Sequence, residues 1–120
     1  MSIPKIFESE YRFCCILWEN QPVSSSVLVQ LCAEKLGWKK STTYTVIKRL
    51  SERGVLKTKN AVVTALITRE QVQEQESREF VDKTFSGSLP QFLAAFTRHQ
   101  SLSREEIDQI QRLIDNYREV

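Results

Sequence analysis

Seven basic residues crowd into positions 39–59 against one acid, Glu52: Lys39, Lys40, Lys48, Arg49, Arg53, Lys57 and Lys59. Such a block suits a polyanion, because each lysine–phosphate contact adds affinity by releasing counterions. Among them stand Ser41, Thr42 and Thr45. Their hydroxyls can bond phosphates or base edges, and a threonine methyl can touch a thymine methyl. The imbalance extends along the chain. Residues 1–68 hold ten Lys+Arg and five acids, a net +5, while 69–120 hold seven and ten, a net −3. A solvated charged face would have the same composition, so charge alone does not choose between the two readings.

Other chemistry is sparse. The three cysteines are Cys14, Cys15 and Cys32, and the single histidine, His99, lies far from them in sequence. A zinc site needs about four such ligands. An odd cysteine count argues against a disulfide framework. Buried or half-buried thiols are expected, with no metal and no cofactor. The chain has no G-x-S-x-G, H-E-x-x-H or C-x-x-C motif, and its three glycines do not make a phosphate-cradling loop. No enzyme is expected. No apolar run nears the roughly 18–20 residues that span a bilayer. The start, MSIPKIFESEYR, lacks the apolar stretch of a signal peptide. A cytoplasmic protein without membrane insertion is expected.

The elements that must hold the basic residues follow from caps and periodicity. Ser9 can cap a first helix over 10–20, which Gln21-Pro22 ends. Ser24 can cap a second over 25–36, with Gly37 in the left-handed position after it. A third helix is predicted from its cap Ser41 to Arg53, closed by Gly54. Its Thr43, Val46, Ile47 and Leu50 recur at i, i+3, i+4 and i+7, an apolar face. The other side carries Thr42, Thr45, Lys48 and Arg49. Tyr44 sits beside the apolar face, with core packing and DNA contact both open. Two helices joined by a short glycine turn, the second basic outside, make a helix-turn-helix pattern. Residues 55–59 and 62–68, around a turn at Asn60-Ala61, predict a small hairpin, the wing of a winged helix.

This fold assigns roles. The start of a recognition helix enters the major groove, so Ser41, Thr42, Thr45, Lys48 and Arg49 are the candidate readers. Lys39 and Lys40 in the turn, and Lys57 and Lys59 on the wing, are candidate phosphate contacts.

From Arg69 the composition changes. Helices are predicted over 69–85 and 89–98. A third, over 104–118, opens on a Ser103/Glu106 capping box. The last carries Ile107, Ile110, Leu113, Ile114 and Tyr117 as an apolar stripe, and the middle one carries Phe92, Leu93 and Phe96. Three helices with such narrow faces cannot bury one another completely, and a second copy of the chain is the simplest cover. The expected architecture is therefore mainly α. A winged helix-turn-helix with a small β-hairpin wing occupies 1–68, and a three-helix dimerisation region occupies 69–120. Phe92, Phe96 and the stripe of the last helix form its interface.

The chain resembles the penicillinase, methicillin-resistance and copper-transport repressors (the BlaI/MecI/CopY family). The resemblance rests on E-S-E-Y-R at Glu8–Arg12, I-L-W-E at Ile16–Glu19, Trp38, and S-T-T-Y-T-V-I-K-R-L-S-E-R-G at Ser41–Gly54. It continues through F-x-x-x-x-F-S-G-S at Phe80–Ser88 and L-S-x-E-E-I at Leu102–Ile107. It implies a homodimeric repressor on a palindromic double-stranded DNA operator with TACA/TGTA-type half-sites.

Departures from the family bear on the switch. β-Lactam-sensing members are cut by a receptor-protease at an Asn-Phe bond, where this chain has Ala95-Phe96. Copper-responsive members carry paired C-terminal cysteines, which this chain lacks. The wing has Asn60-Ala61 and Thr64-Ala65-Leu66 in place of a Gly-Arg tip and tyrosines. Cys15 stands where a basic or polar residue is usual in the family, which raises a redox-sensor reading. A winged helix used for protein–protein contact without DNA is the alternative function, since the fold does not dictate it.

Overall fold

Helix α1 spans Glu8–Asn20 in the computed structural model, which describes residues 3–118. It starts earlier than a Ser9 cap would place it. Phe7 is the capping residue, because its carbonyl accepts the Tyr11 N–H and its own N–H donates to the Glu10 carboxylate at 2.9 Å. Glu10 thereby satisfies the Phe7 N–H, which has no acceptor inside the helix. Phe13, Cys14, Ile16 and Leu17 form the buried side of α1.

A two-residue strand, β1 (Val23–Ser24), follows. Ser24 then caps α2 (Ser25–Leu36), accepting from the Val27 N–H. Gly37 ends α2 at φ 70°, donating to the Ala33 carbonyl, while Trp38 N–H reaches Cys32. These are the two bonds that a left-handed residue after a helix makes possible. Helix α3 (Lys40–Glu52) follows. Its capping residue is Lys39, which corrects the expected Ser41 cap. Buried Thr43 explains the shift: both its N–H and its hydroxyl point at the Lys39 carbonyl, fixing that carbonyl as the first helical acceptor.

Strands β2 (Leu56–Lys59) and β3 (Val62–Ala65) form the hairpin, and β3 lies between β1 and β2, all antiparallel. The predicted hairpin is longer than the strands, although Leu66 N–H still reaches the Val55 carbonyl. The turn residues Asn60 and Ala61 both have positive φ, 52° and 61°, as a two-residue turn between twisted strands requires. The Ala61 carbonyl accepts the Ser25 N–H at 2.9 Å, tying the turn to the start of α2.

One core holds these elements. Phe13, Leu17, Leu28, Leu50, Leu56 and Val63 are its fully buried centre, and cutting Leu50 back to alanine would cost about 2–5 kcal/mol. The contact pattern divides the chain into a unit that ends at Ser77 and one that starts at Arg78, inside α4 (Arg69–Phe85). Within the first unit, Val72 of α4 is buried, and Gln75 exchanges two hydrogen bonds with the Ile3 backbone. Trp18 donates to the Ile67 carbonyl at 2.8 Å, and Arg69 lies over its ring.

The second unit holds the end of α4, α5 (Leu89–Thr97) and α6 (Arg104–Arg118). Helix α5 stops one residue short of its predicted end, at its cap Arg98. The Ser103/Glu106 capping box is present, at 3.0 and 3.1 Å. Phe80, Phe85 and Phe92 make mutual edge-on contacts at 5.5–5.9 Å. Yet none of this unit's described residues is buried.

Candidate nucleic-acid interface

Helix α3 is divided cleanly along its length. Thr43, Val46, Ile47 and Leu50 are buried, while Lys40, Ser41, Thr42, Tyr44, Thr45, Lys48 and Arg49 are exposed. Turns of 3.6 residues place Ser41, Thr45 and Lys48 along the line facing away from the core, with Thr42 and Arg49 beside them. Lys39, in the turn, is exposed as well. The structure thus brings together the seven helix and turn residues picked out from sequence. On β2, Lys57 and Lys59 are both exposed and, two residues apart, share one face of the strand. Strand β2 packs against α3, so the wing lysines belong to the same body as the helix.

Three details refine the set. No side chain caps α3 among the described residues, so the N–H groups of its first turn stay available to an anion. Thr45 Oγ1 donates to the Ser41 carbonyl at 2.9 Å, so its proton is already used within the helix. Arg53, the seventh basic residue of the 39–59 block, already has an acidic partner. It pairs with Glu10 at 2.6 Å and lies over the Phe7 ring.

That pair is shorter and more buried than the Arg69–Glu19 pair at 3.5 Å. Burial pushes the Glu10 carboxyl up, but Arg53 and the Phe7 N–H outweigh it and hold it below the usual carboxylate range. The pair fastens the C-terminal end of α3 to the start of α1.

Tyr44 is the residue that sequence reasoning left undecided. Its place at the edge of the helical face gives no signal either way, and the structure exposes it.

Two of the three thiols, Cys14 and Cys32, are buried. Burial, with Cys15 and Glu10 nearby, pushes Cys14 up to about 12, and burial raises Cys32 as well. Cys15 is half-buried. Among the described residues, no three His, Cys, Asp or Glu side chains are placed to share a metal ion, and no helix is long and apolar enough to cross a membrane.

A helix-turn-helix followed by a β wing, with hydroxyls and cations on the outer face of its second helix, defines a winged-helix regulator. The sequence matches the Penicillinase repressor family over residues 6–116, and the chain belongs to that family of transcriptional repressors. It is similar to the penicillinase repressor of Bacillus licheniformis, 22% identical over 120 residues, covering 97% of this chain and 94% of that one. The methicillin resistance regulatory protein MecI of Staphylococcus aureus (strain Mu50) is also 22% identical, over 115 residues, 92% of this chain and 94% of MecI. An uncharacterized 16.5 kDa protein in the ptsI 3' region of Latilactobacillus sakei is 30% identical over 114 residues, 92% and 78% of the two chains.

Proposed function

We propose that this protein is a cytoplasmic, homodimeric repressor that binds a palindromic operator in double-stranded DNA. The observation that carries this reading is the division of α3: one face locks it into the core, and the other presents hydroxyls and cations to solvent. Ser41, Thr42, Thr45, Lys48 and Arg49 face the base edges in this reading. Lys39, Lys40, Lys57 and Lys59 hold phosphates and set the register of the helix on the duplex.

Dimerisation is supported by the second unit. Helices α5 and α6 expose Phe96, Ile107, Leu113, Ile114 and Tyr117, with Phe92 and Ile110 only half-buried. A helical unit with no buried residue among those described lacks the apolar burial that offsets chain entropy. A second copy supplies the missing side of that core. Two copies related by a twofold axis then call for a twofold-symmetric operator. A receptor-protease acting at Ala95-Phe96 would have to unwind the end of α5, where that bond lies.

Selection of bound DNA from a random duplex pool tests the reading. The expected result is one enriched sequence with twofold symmetry and half-sites spaced by whole helical turns. A chain that retains no duplex at low salt would overturn it and favour a role in protein–protein contact.

A further inference from the structure

Tyr44 is 40% exposed although it borders the buried side of α3. It follows Ser41 by three residues and precedes Lys48 by four, so on a helix it neighbours both. It is the one aromatic residue of α3. A phenol ring on a face otherwise made of hydroxyls and cations is a broad apolar surface where the proposed site meets its ligand.

Thr45 contributes a second apolar group. Its hydroxyl proton goes to the Ser41 carbonyl at 2.9 Å, so Thr45 has no donor left for a base. What it offers is its γ-methyl and an oxygen lone pair. The centre of the reading face is therefore poorer in donors than its residue types suggest. In the major groove, the apolar feature that distinguishes one base from the others is the C5-methyl of thymine.

We infer that Tyr44 and Thr45 are specificity-determining residues that read thymine through its 5-methyl group, by apolar contact rather than by hydrogen bonding. The inference rests on the proposed DNA binding and adds a base preference and a mode of readout to it. Ser41, Lys48 and Arg49 retain their donors and read the polar edges nearby.

The test uses the duplex recovered by selection, with uracil replacing thymine one position at a time, which removes only the methyl group. Wild type should lose about tenfold in affinity at one or more of these positions, the scale of a wrong base pair. Tyr44→Phe should bind as wild type does. Tyr44→Ala should lose about tenfold on the selected duplex, much less on a random one, and should no longer distinguish uracil from thymine at one position. Thr45→Ser, which keeps the hydroxyl and drops the methyl, should lose that distinction at another. Indifference of wild type to uracil everywhere would overturn the inference. So would equal losses in the Phe and Ala variants, which would mean a hydrogen bond from the phenol. Equal weakening of selected and random duplexes would also overturn it, as a phosphate contact. Each of these outcomes leaves DNA binding intact, whereas a wild-type chain that retains no duplex removes the function and the inference together.

Discussion

The Glu10 carboxylate lies 2.6 Å from the Arg53 guanidinium, joining the first turn of α1 to the residue that ends α3. The same carboxylate accepts the Phe7 N–H, so one buried side chain both caps α1 and holds the proposed recognition helix. Its value lies below that of an unfolded glutamate despite burial, because Arg53 and the Phe7 N–H favour the charged form. A depressed carboxylate stabilises the fold above the unfolded value and ceases to do so as pH falls through the folded one. Glu10→Gln should therefore cost about 1–2 kcal/mol at neutral pH, as expected for losing charged hydrogen bonds. The gap to wild type should close as pH drops below 4.5. Urea unfolding across that range reads both, and a gap independent of pH would contradict the role given to the charge.

The turn of the wing carries backbone strain. Ala61 has φ 61°, a left-handed conformation that costs an L-residue roughly 1–2 kcal/mol. Glycine relieves this but gives the unfolded chain more freedom. Ala61→Gly should be a net gain of about 0.5–1 kcal/mol, seen as a higher urea midpoint with an unchanged slope. The neighbouring Asn60, also at positive φ, suits that position already, and Asn60→Gly should give little.

What could be read before the structure depended on whether one side chain settles the matter locally. Ser24 and Gly37 bracket α2 because each satisfies backbone groups within its own turn. The buried face of α3 was legible because four apolar positions repeat at helical spacing. The start of α3 was not: Ser41 is as good a cap as any, but buried Thr43 binds the Lys39 carbonyl and moves the start upstream. Strand β1 is two residues long, too short for an alternating pattern, and exists only because β3 pairs with it. In the candidate site, the exposed cations followed from periodicity. The exposure of Tyr44 and the Thr45–Ser41 bond depend on rotamers and packing that no spacing rule encodes.

The cysteines should react unequally. The thiolate is the reactive form, and Cys14, pushed up to about 12, is almost wholly protonated at neutral pH as well as buried. Cys32 is fully buried and also raised. Cys15 alone is partly accessible. Alkylation of native protein near neutral pH should add one label per chain, at Cys15, and three after denaturation. Labelling of Cys14 at a comparable rate would mean that α1 opens readily from the core.

The apolar faces of α5 and α6 should make the dimer. Light scattering at micromolar concentration should give twice the 14.0 kDa of one chain. Replacing Ile110 and Leu113 together by aspartate would place charges within the proposed apolar interface, where unpaired charge is costly. The double variant should run as a monomer, lose helix content attributable to the second unit, and bind the selected duplex far more weakly. Retained dimers would move the interface elsewhere on the chain.

The lysines of the turn should govern the salt response more than the sequence preference. Lys39 and Lys40 are exposed at the start of α3, beside the N–H groups of its uncapped first turn. Each phosphate they neutralise contributes about 0.9 to the slope of log affinity against log salt. Replacing both by alanine should lower that slope by about 2 for each half-site engaged. It should weaken binding to selected and random duplexes by similar factors, because phosphate contacts carry no base information. Lys57→Ala and Lys59→Ala should act in the same way through the wing. Titrations at three or more salt concentrations separate this from base readout: a change in preferred sequence with an unaltered slope would place the turn lysines on base edges instead.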